Sequence, residues 1–145
     1  MGNLSEHFNQ RDFSCRCGSC KFQTRIHLGL VGALEAIAEN FKKTPIIHEG
    51  YRCEMASEKK SDMKKNSHRL GKAAHITILG LPVEELFKFA RTLPEVNGLG
   101  INFNQGVVHI DTRELNKTGE REEWIKDGDK IIPLTNDLKA KYNLL

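Results

Sequence analysis

Three histidines in this chain can act together as metal ligands: His68, His75 and His109. His68 and His75 stand seven residues apart, with the small residues Gly71, Ala73 and Ala74 between them. On one helix that spacing separates two residues by roughly 10 Å along the axis, too far for a single ion held at ~2.0–2.1 Å from each imidazole nitrogen. On one unbroken strand an odd spacing points the side chains to opposite faces. A loop that turns at Gly71 and then enters the strand Ile76-Thr77-Ile78 removes both difficulties, with His68 on the loop and His75 at the strand start. Six histidines in 145 residues make one such pair unsurprising. The third, His109, sits in Val107-Val108-His109-Ile110-Asp111, a strand with polar residues at alternate positions. Three protein ligands and one open position make a catalytic zinc site, whose chemistry is hydrolysis.

The elements that must position these rings are readable in outline. Ile26, Leu30, Leu34, Ile37, Ala38 and Phe41 recur at helical spacing and predict a core-facing helix over 24–43, with Lys42 and Lys43 at its C-terminal end. Pro45-Ile46-Ile47-His48 predicts a short strand that delivers Glu49-Gly50-Tyr51-Arg52 to its end. Residues 53–66 are polar and read as a surface loop near the site; the cluster Lys59-Lys60 and Lys64-Lys65 reads as its solvated face. A strand over 73–79 ends at Gly80, and Pro82 opens a helix to about Thr92. Residues 98–103 and 107–112 predict a hairpin around Asn104-Gln105-Gly106. Beyond Arg113 the pattern weakens into a polar stretch at 114–123. Trp124 and Ile125 then pack back, Asp127-Gly128-Asp129 turns, and residues 137–142 form a short helix. The fold class expected is α+β, a small antiparallel sheet with helices mainly on one face, in a single domain over 1–145 that acts as a monomer.

Charged residues are 28% of the chain and apolar residues 39%, the balance of an ordinary globular protein. A net charge of +3 suits an anionic polymer, but no basic stripe with interleaved aromatics argues for nucleic acid. No apolar run reaches the ~20 residues of a membrane span. Met1 is followed by polar Gly2-Asn3-Leu4-Ser5-Glu6, with no signal peptide. Four cysteines, Cys15, Cys17, Cys20 and Cys53, are too closely grouped to be accidental packing. They offer a structural zinc site or, in an oxidising compartment, two disulfides. Without a leader, metal or free thiols are the expectation.

Taken in order, Gly50-Tyr51-Arg52, His68-Arg69-Leu70-Gly71-Lys72-Ala73-Ala74-His75 and Val108-His109-Ile110-Asp111 resemble the zinc D-Ala-D-Ala carboxypeptidase family. That family includes peptidoglycan carboxypeptidases and endopeptidases, phage endolysins and vancomycin-resistance dipeptidases, and it shares its fold with the hedgehog signalling domain. Leu4-Ser5-Glu6-His7-Phe8 and Phe13-Ser14-Cys15-Arg16-Cys17-Gly18 look like one branch of it, so the resemblance covers roughly residues 4–113. It implies zinc held by His68, His75 and His109, and a peptidoglycan peptide as substrate. It also implies that Arg52 binds the substrate carboxylate, for which a guanidinium fork is well shaped. The chain departs from the family's pattern at three positions: His75 stands where the second ligand is usually Asp, Asn66 where Ser is common, and Gly106 where several relatives carry an acid. Three imidazoles still suit zinc. The acid–base role then falls to Asp111, on the His109 face of its strand, or to Glu49. The function expected is hydrolysis of an amide in stem peptides or cross-links, the alternative being a non-catalytic zinc-binding module of the same fold. The setting is left open: inside the cell, released by lysis as endolysins are, or cut from a longer precursor.

Overall fold

The computed structural model describes residues 2–21, 23–53 and 67–145. The polar stretch 54–66, with its four lysines and Asn66, lies outside them. Among the described residues are six strands: β1 (Ile46–Glu49), β2 (Ala73–Thr77), β3 (Gly98–Asn102), β4 (Val107–Asp111), β5 (Glu122–Asp127) and β6 (Lys130–Pro133). Three α-helices accompany them: α1 (Leu28–Phe41), α2 (Val83–Arg91) and α3 (Asn136–Lys141). A 3-10 turn spans Gln10–Phe13. The class is α+β.

The strands form one sheet in the order β1-β2-β4-β3-β5-β6. Neighbours are antiparallel except β3 and β5, which run parallel. Period-two alternation divides the residues between two faces. Ile47, Ala74, Ile76, Leu99, Ile101, Val108, Ile110 and Ile125 belong to the buried core, together with Leu30, Leu34 and Ile37 of α1 and Leu86, Phe87 and Ala90 of α2. The other face carries Ala73, His75, Gly98, Gly100, Asn102, Val107, His109, Asp111, Trp124 and Lys126, and it holds the polar chemistry.

Helix α1 begins at Leu28, four residues later than its apolar spacing predicts. A backbone tie explains the difference: the His27 N–H donates to the Gly71 carbonyl at 2.9 Å, so the chain before the helix runs extended against the turn. The helix ends where Lys42 takes a left-handed φ of 55°. Helix α2 follows Pro82, with Glu84 and Glu85 in its first turn and Lys88 and Arg91 in its last, matching the helix dipole.

The sheet contains two strands, β5 and β6, where the polarity of 114–123 predicts a loop and the following residues only a turn. Their hairpin closes at Gly128, whose φ is 60°. The parallel ladder to β3 adds them to the sheet, and only Ile125 of β5 and β6 is buried. No helix among the described residues is long and apolar enough to cross a membrane.

Candidate metal centre

Two structural devices bring His68, His75 and His109 together. His68 lies in the turn 67–71, which closes with Gly71 at φ +72°. A Cβ at Gly71 would stand 2.4 Å from the Arg25 carbonyl oxygen, so both the conformation and the close approach require glycine. His75 projects from β2 directly opposite His109 of β4. The three ring centroids are 4.6, 5.2 and 5.2 Å apart, and one ligand nitrogen from each ring lies within 4.8 Å of the others.

The second nitrogen of each ring faces an acceptor. His68 Nδ1 stands 2.8 Å from the Gly50 carbonyl oxygen. His75 Nδ1 is 3.4 Å from Glu49 Oε2, and His109 Nε2 is 2.6 Å from Asp111 Oδ2. A carbonyl or carboxylate oxygen only accepts, so each of these nitrogens carries the proton. In the neutral rings the lone pairs are therefore His68 Nε2, His75 Nε2 and His109 Nδ1. His68 Nε2 and His75 Nε2 face each other at 3.2 Å. Two lone pairs so placed repel unless a cation lies between them. A tetrahedral zinc at ~2.0–2.1 Å from its ligands sets them about 3.3 Å apart, so the donor set fits zinc.

The electrostatics keep His68 and His75 neutral. Burial, with help from His109 and His75, holds His68 well below the usual imidazole range. Burial and then His109 push His75 down to about 3. The carboxylates behind the rings are ionised. Burial raises Glu49, but its hydrogen bond with Arg52 and the surrounding positive groups outweigh it and hold the carboxyl well below its ordinary value. Burial likewise raises Asp111, and the contacts with His109 and Arg113 win.

Glu49 reaches this face through a β-bulge. Ile47 pairs with Ile76 and Glu49 with His75, so the register shifts at His48. Regular alternation after Ile47 would put Glu49 on the apolar face; the bulge turns it toward His75. Its other oxygen accepts from Arg52 Nε at 2.7 Å. Asp111 is wholly buried and accepts three bonds from the Arg113 guanidinium as well as that from His109. Both acids proposed from the sequence as acid–base groups thus stand behind the imidazoles.

The rings open onto a cleft of about 190 Å³ whose lining includes Arg52, Asn102, Val107, Arg113, Trp124 and Lys126. Its wall contains three cationic residues and, among the described residues, no carboxylate. The Trp124 ring lies 5.1 Å from His109, and the Arg113 guanidinium lies 5.0 Å over that indole. Sequence reasoning missed Trp124, Lys126 and Arg113 as cleft residues. The signal was the even spacing of Trp124 and Lys126, which on a strand share a face.

The cysteines also converge. The four sulfurs lie within 4.8 Å of one another, and no disulfide joins them. The Cys17 thiol is drawn down to about 6, chiefly by the Ser19 N–H aimed at its sulfur.

No curated protein and no solved structure matched the chain in comparison. Residues 6–111 match the family described as Peptidase M15. That span contains the three imidazoles, the four cysteines, Glu49, Arg52 and Asp111. Peptidases of this family are metal-dependent, in keeping with a face that brings three imidazoles together. By its sequence over more than two thirds of its length, the chain belongs to the Peptidase M15 family.

Proposed function

We propose that the protein is a zinc-dependent peptidase that hydrolyses an amide bond in peptidoglycan stem peptides or their cross-links. The observation that carries this reading is the orientation of His68, His75 and His109: each commits one nitrogen outward and turns its lone pair toward the others. These three residues hold the metal. Bound there, zinc would supply a Lewis acid for the scissile carbonyl and would lower the pKa of water to about 7. Glu49 and Asp111 fix the tautomers and ring planes, a positioning role. Arg52, which lines the cleft and is itself braced by Glu49, receives the peptide carboxylate. Arg113 and Lys126 add positive charge to the same wall, so an anionic peptide is favoured over a neutral one. Trp124 and Val107 give the cleft an apolar side that limits water around the bound peptide.

A second reading, a metal-binding module without catalysis, is favoured by one observation. The cleft lining contains no carboxylate among the described residues to move the proton to the leaving amine, and Glu49 and Asp111 are already engaged. One experiment separates the two. Stem pentapeptides and cross-linked dimers are incubated with the purified protein as isolated, after chelation and after zinc is restored. Cleavage that disappears with the chelator and returns with zinc supports the peptidase. Full metal occupancy without cleavage of any fragment overturns it in favour of the module.

A further inference from the structure

The cysteine cluster lies apart from the imidazole centre and from the main core. Cys15, Tyr51 and Cys53 form a small buried cluster of their own, with Cys17 and Cys20 packed against it. That little apolar area gives limited stabilisation to a segment whose only regular element, among the described residues, is one 3-10 turn. The segment is nevertheless tightly shaped around the sulfurs. Gly18 at φ +80° and Lys21 at φ +57° fold the chain back on either side of Cys20. A left-handed lysine is uncommon and persists only where its surroundings impose it. Two backbone N–H groups point at sulfur: Ser19 N–H donates to Cys17 Sγ at 3.4 Å, and Cys53 N–H to Cys15 Sγ at 3.3 Å. Such bonds favour the thiolate, the form that binds metal.

The mutual distances decide between chemistries. Two disulfides require only that sulfurs be close in pairs; a four-coordinate ion requires all of them to surround one point. Here all four sulfurs satisfy the second condition, and Cys17 Sγ and Cys53 Sγ stand 3.6 Å apart. Ligands of a tetrahedral zinc at ~2.3 Å lie about 3.8 Å from one another. Iron also accepts four thiolates. For a half-buried clamp between two backbone segments, zinc, which has no redox chemistry, is the simpler occupant.

We propose that Cys15, Cys17, Cys20 and Cys53 form a second metal site, a tetrathiolate zinc centre that fastens the N-terminal segment to the loop Gly50–Cys53. That loop serves the imidazole centre. The Gly50 carbonyl orients His68, and the Arg52 N–H donates to the His68 carbonyl at 3.1 Å. On its other side the Tyr51 N–H donates to the Phe13 carbonyl at 2.8 Å, and Cys53 closes the loop at the sulfurs. The clamp thus sets the base on which His68 and Arg52 stand, whether or not the imidazole centre is catalytic.

The test counts metal in the full-length protein. Elemental analysis should give two zinc ions per chain in wild type, one in His109→Ala and one in Cys17→Ser/Cys20→Ser. With cobalt in place of zinc, the sulfur-to-metal charge-transfer absorption should persist in His109→Ala and vanish in the cysteine variant. A measurement on wild type guards against misfolding of the variants: titration with an organomercurial beside a chromogenic chelator should release one zinc as four thiols react. Four thiols consumed without metal release, iron at that stoichiometry, or two disulfides in protein purified without reductant would each overturn the proposal. Loss of zinc only in His109→Ala would overturn it while leaving the imidazole centre standing.

Discussion

The three imidazoles are sensitive to the groups behind them, because each outward contact with an acceptor favours the tautomer that leaves a lone pair inward. Replacing Asp111 by Asn keeps an acceptor for His109 but removes the negative charge. Zinc affinity is expected to fall about tenfold to a hundredfold, measured by competition with a chelating dye. His75→Asp restores the ligand usual in the resemblance and should retain metal, with a changed pH dependence of binding; an unchanged affinity and pH profile would show that His75 is not a ligand. For Arg52, removing a carboxylate's partner in a partly desolvated cleft commonly costs on the order of 2–5 kcal/mol. Arg52→Ala should therefore lower kcat/KM on stem peptides at least roughly thirtyfold, with zinc content intact, and Arg52→Lys should recover only part of it. Equal cleavage of free and amidated C-termini, unaffected by Arg52→Ala, would remove the clamp role. The histidines themselves were legible in the sequence, because a seven-residue spacing broken by glycine admits few geometries. The outward partner of His75 was not. Glu49 reaches it only through the bulge at His48, and a register shift leaves no trace in hydropathy.

Strand β3 reads Gly98-Leu99-Gly100-Ile101-Asn102, with its glycines on the metal face. A Cβ at Gly98 would lie 2.3 Å from both Asp111 carboxylate oxygens, and one at Gly100 would lie 2.3 Å from the Trp124 indole nitrogen. The bare strand is what lets the Asp111 carboxylate and the Trp124 ring share the space beside β4. Gly98→Ala should destabilise the fold by about 1–3 kcal/mol, the usual range for overpacking, and should also weaken metal binding by displacing Asp111. A lower denaturant midpoint with unchanged zinc affinity would separate packing from positioning. The hairpin β3–β4 was visible from Asn104-Gln105-Gly106 between two apolar runs. Strand β5 was not, because Glu122 and Glu123 are polar and its pairing is parallel. A parallel pair depends on a crossover, and the polar stretch 112–121 carries no periodic sign of its destination.

Across the whole molecule, the neutral histidines and ionised carboxylates act on stability in the same direction. His68 and His75 titrate lower in the folded chain than their ordinary 6.5, so the unfolded chain takes up protons first as pH falls. Stability is then complete above pH 6.5 and declines below it, toward about 3 for His75. At ~1.4 kcal/mol per unit, the decline by pH 5 is at most about 2 kcal/mol for each histidine. Glu49 and Asp111, also lowered, extend the loss below their ordinary values of 4.5 and 3.8. The urea midpoint of metal-free protein should therefore drop between pH 7 and pH 5, and a flat profile would contradict the burial of these rings. Zinc bound only by the folded chain should raise the thermal midpoint in proportion to the logarithm of its free concentration.

The parallel ladder between β3 and β5 has a consequence for anyone shortening the chain. The family match ends at residue 111, one strand pair before the sheet does. A fragment cut there would keep all three imidazoles yet leave β3 as an open margin, its amide and carbonyl groups unpaired along one side. All five of its residues are buried in the 145-residue chain, and none is charged. Such a margin invites another copy to add its own strand. Among the described residues the sheet ends on that side at β6, short, exposed, opened by Lys130 and closed by Pro133, features that discourage pairing. The segment beyond the family's boundary would then act as a built-in solubility cap: size-exclusion chromatography should find residues 1–111 associating with rising concentration under conditions where the 145-residue chain does not.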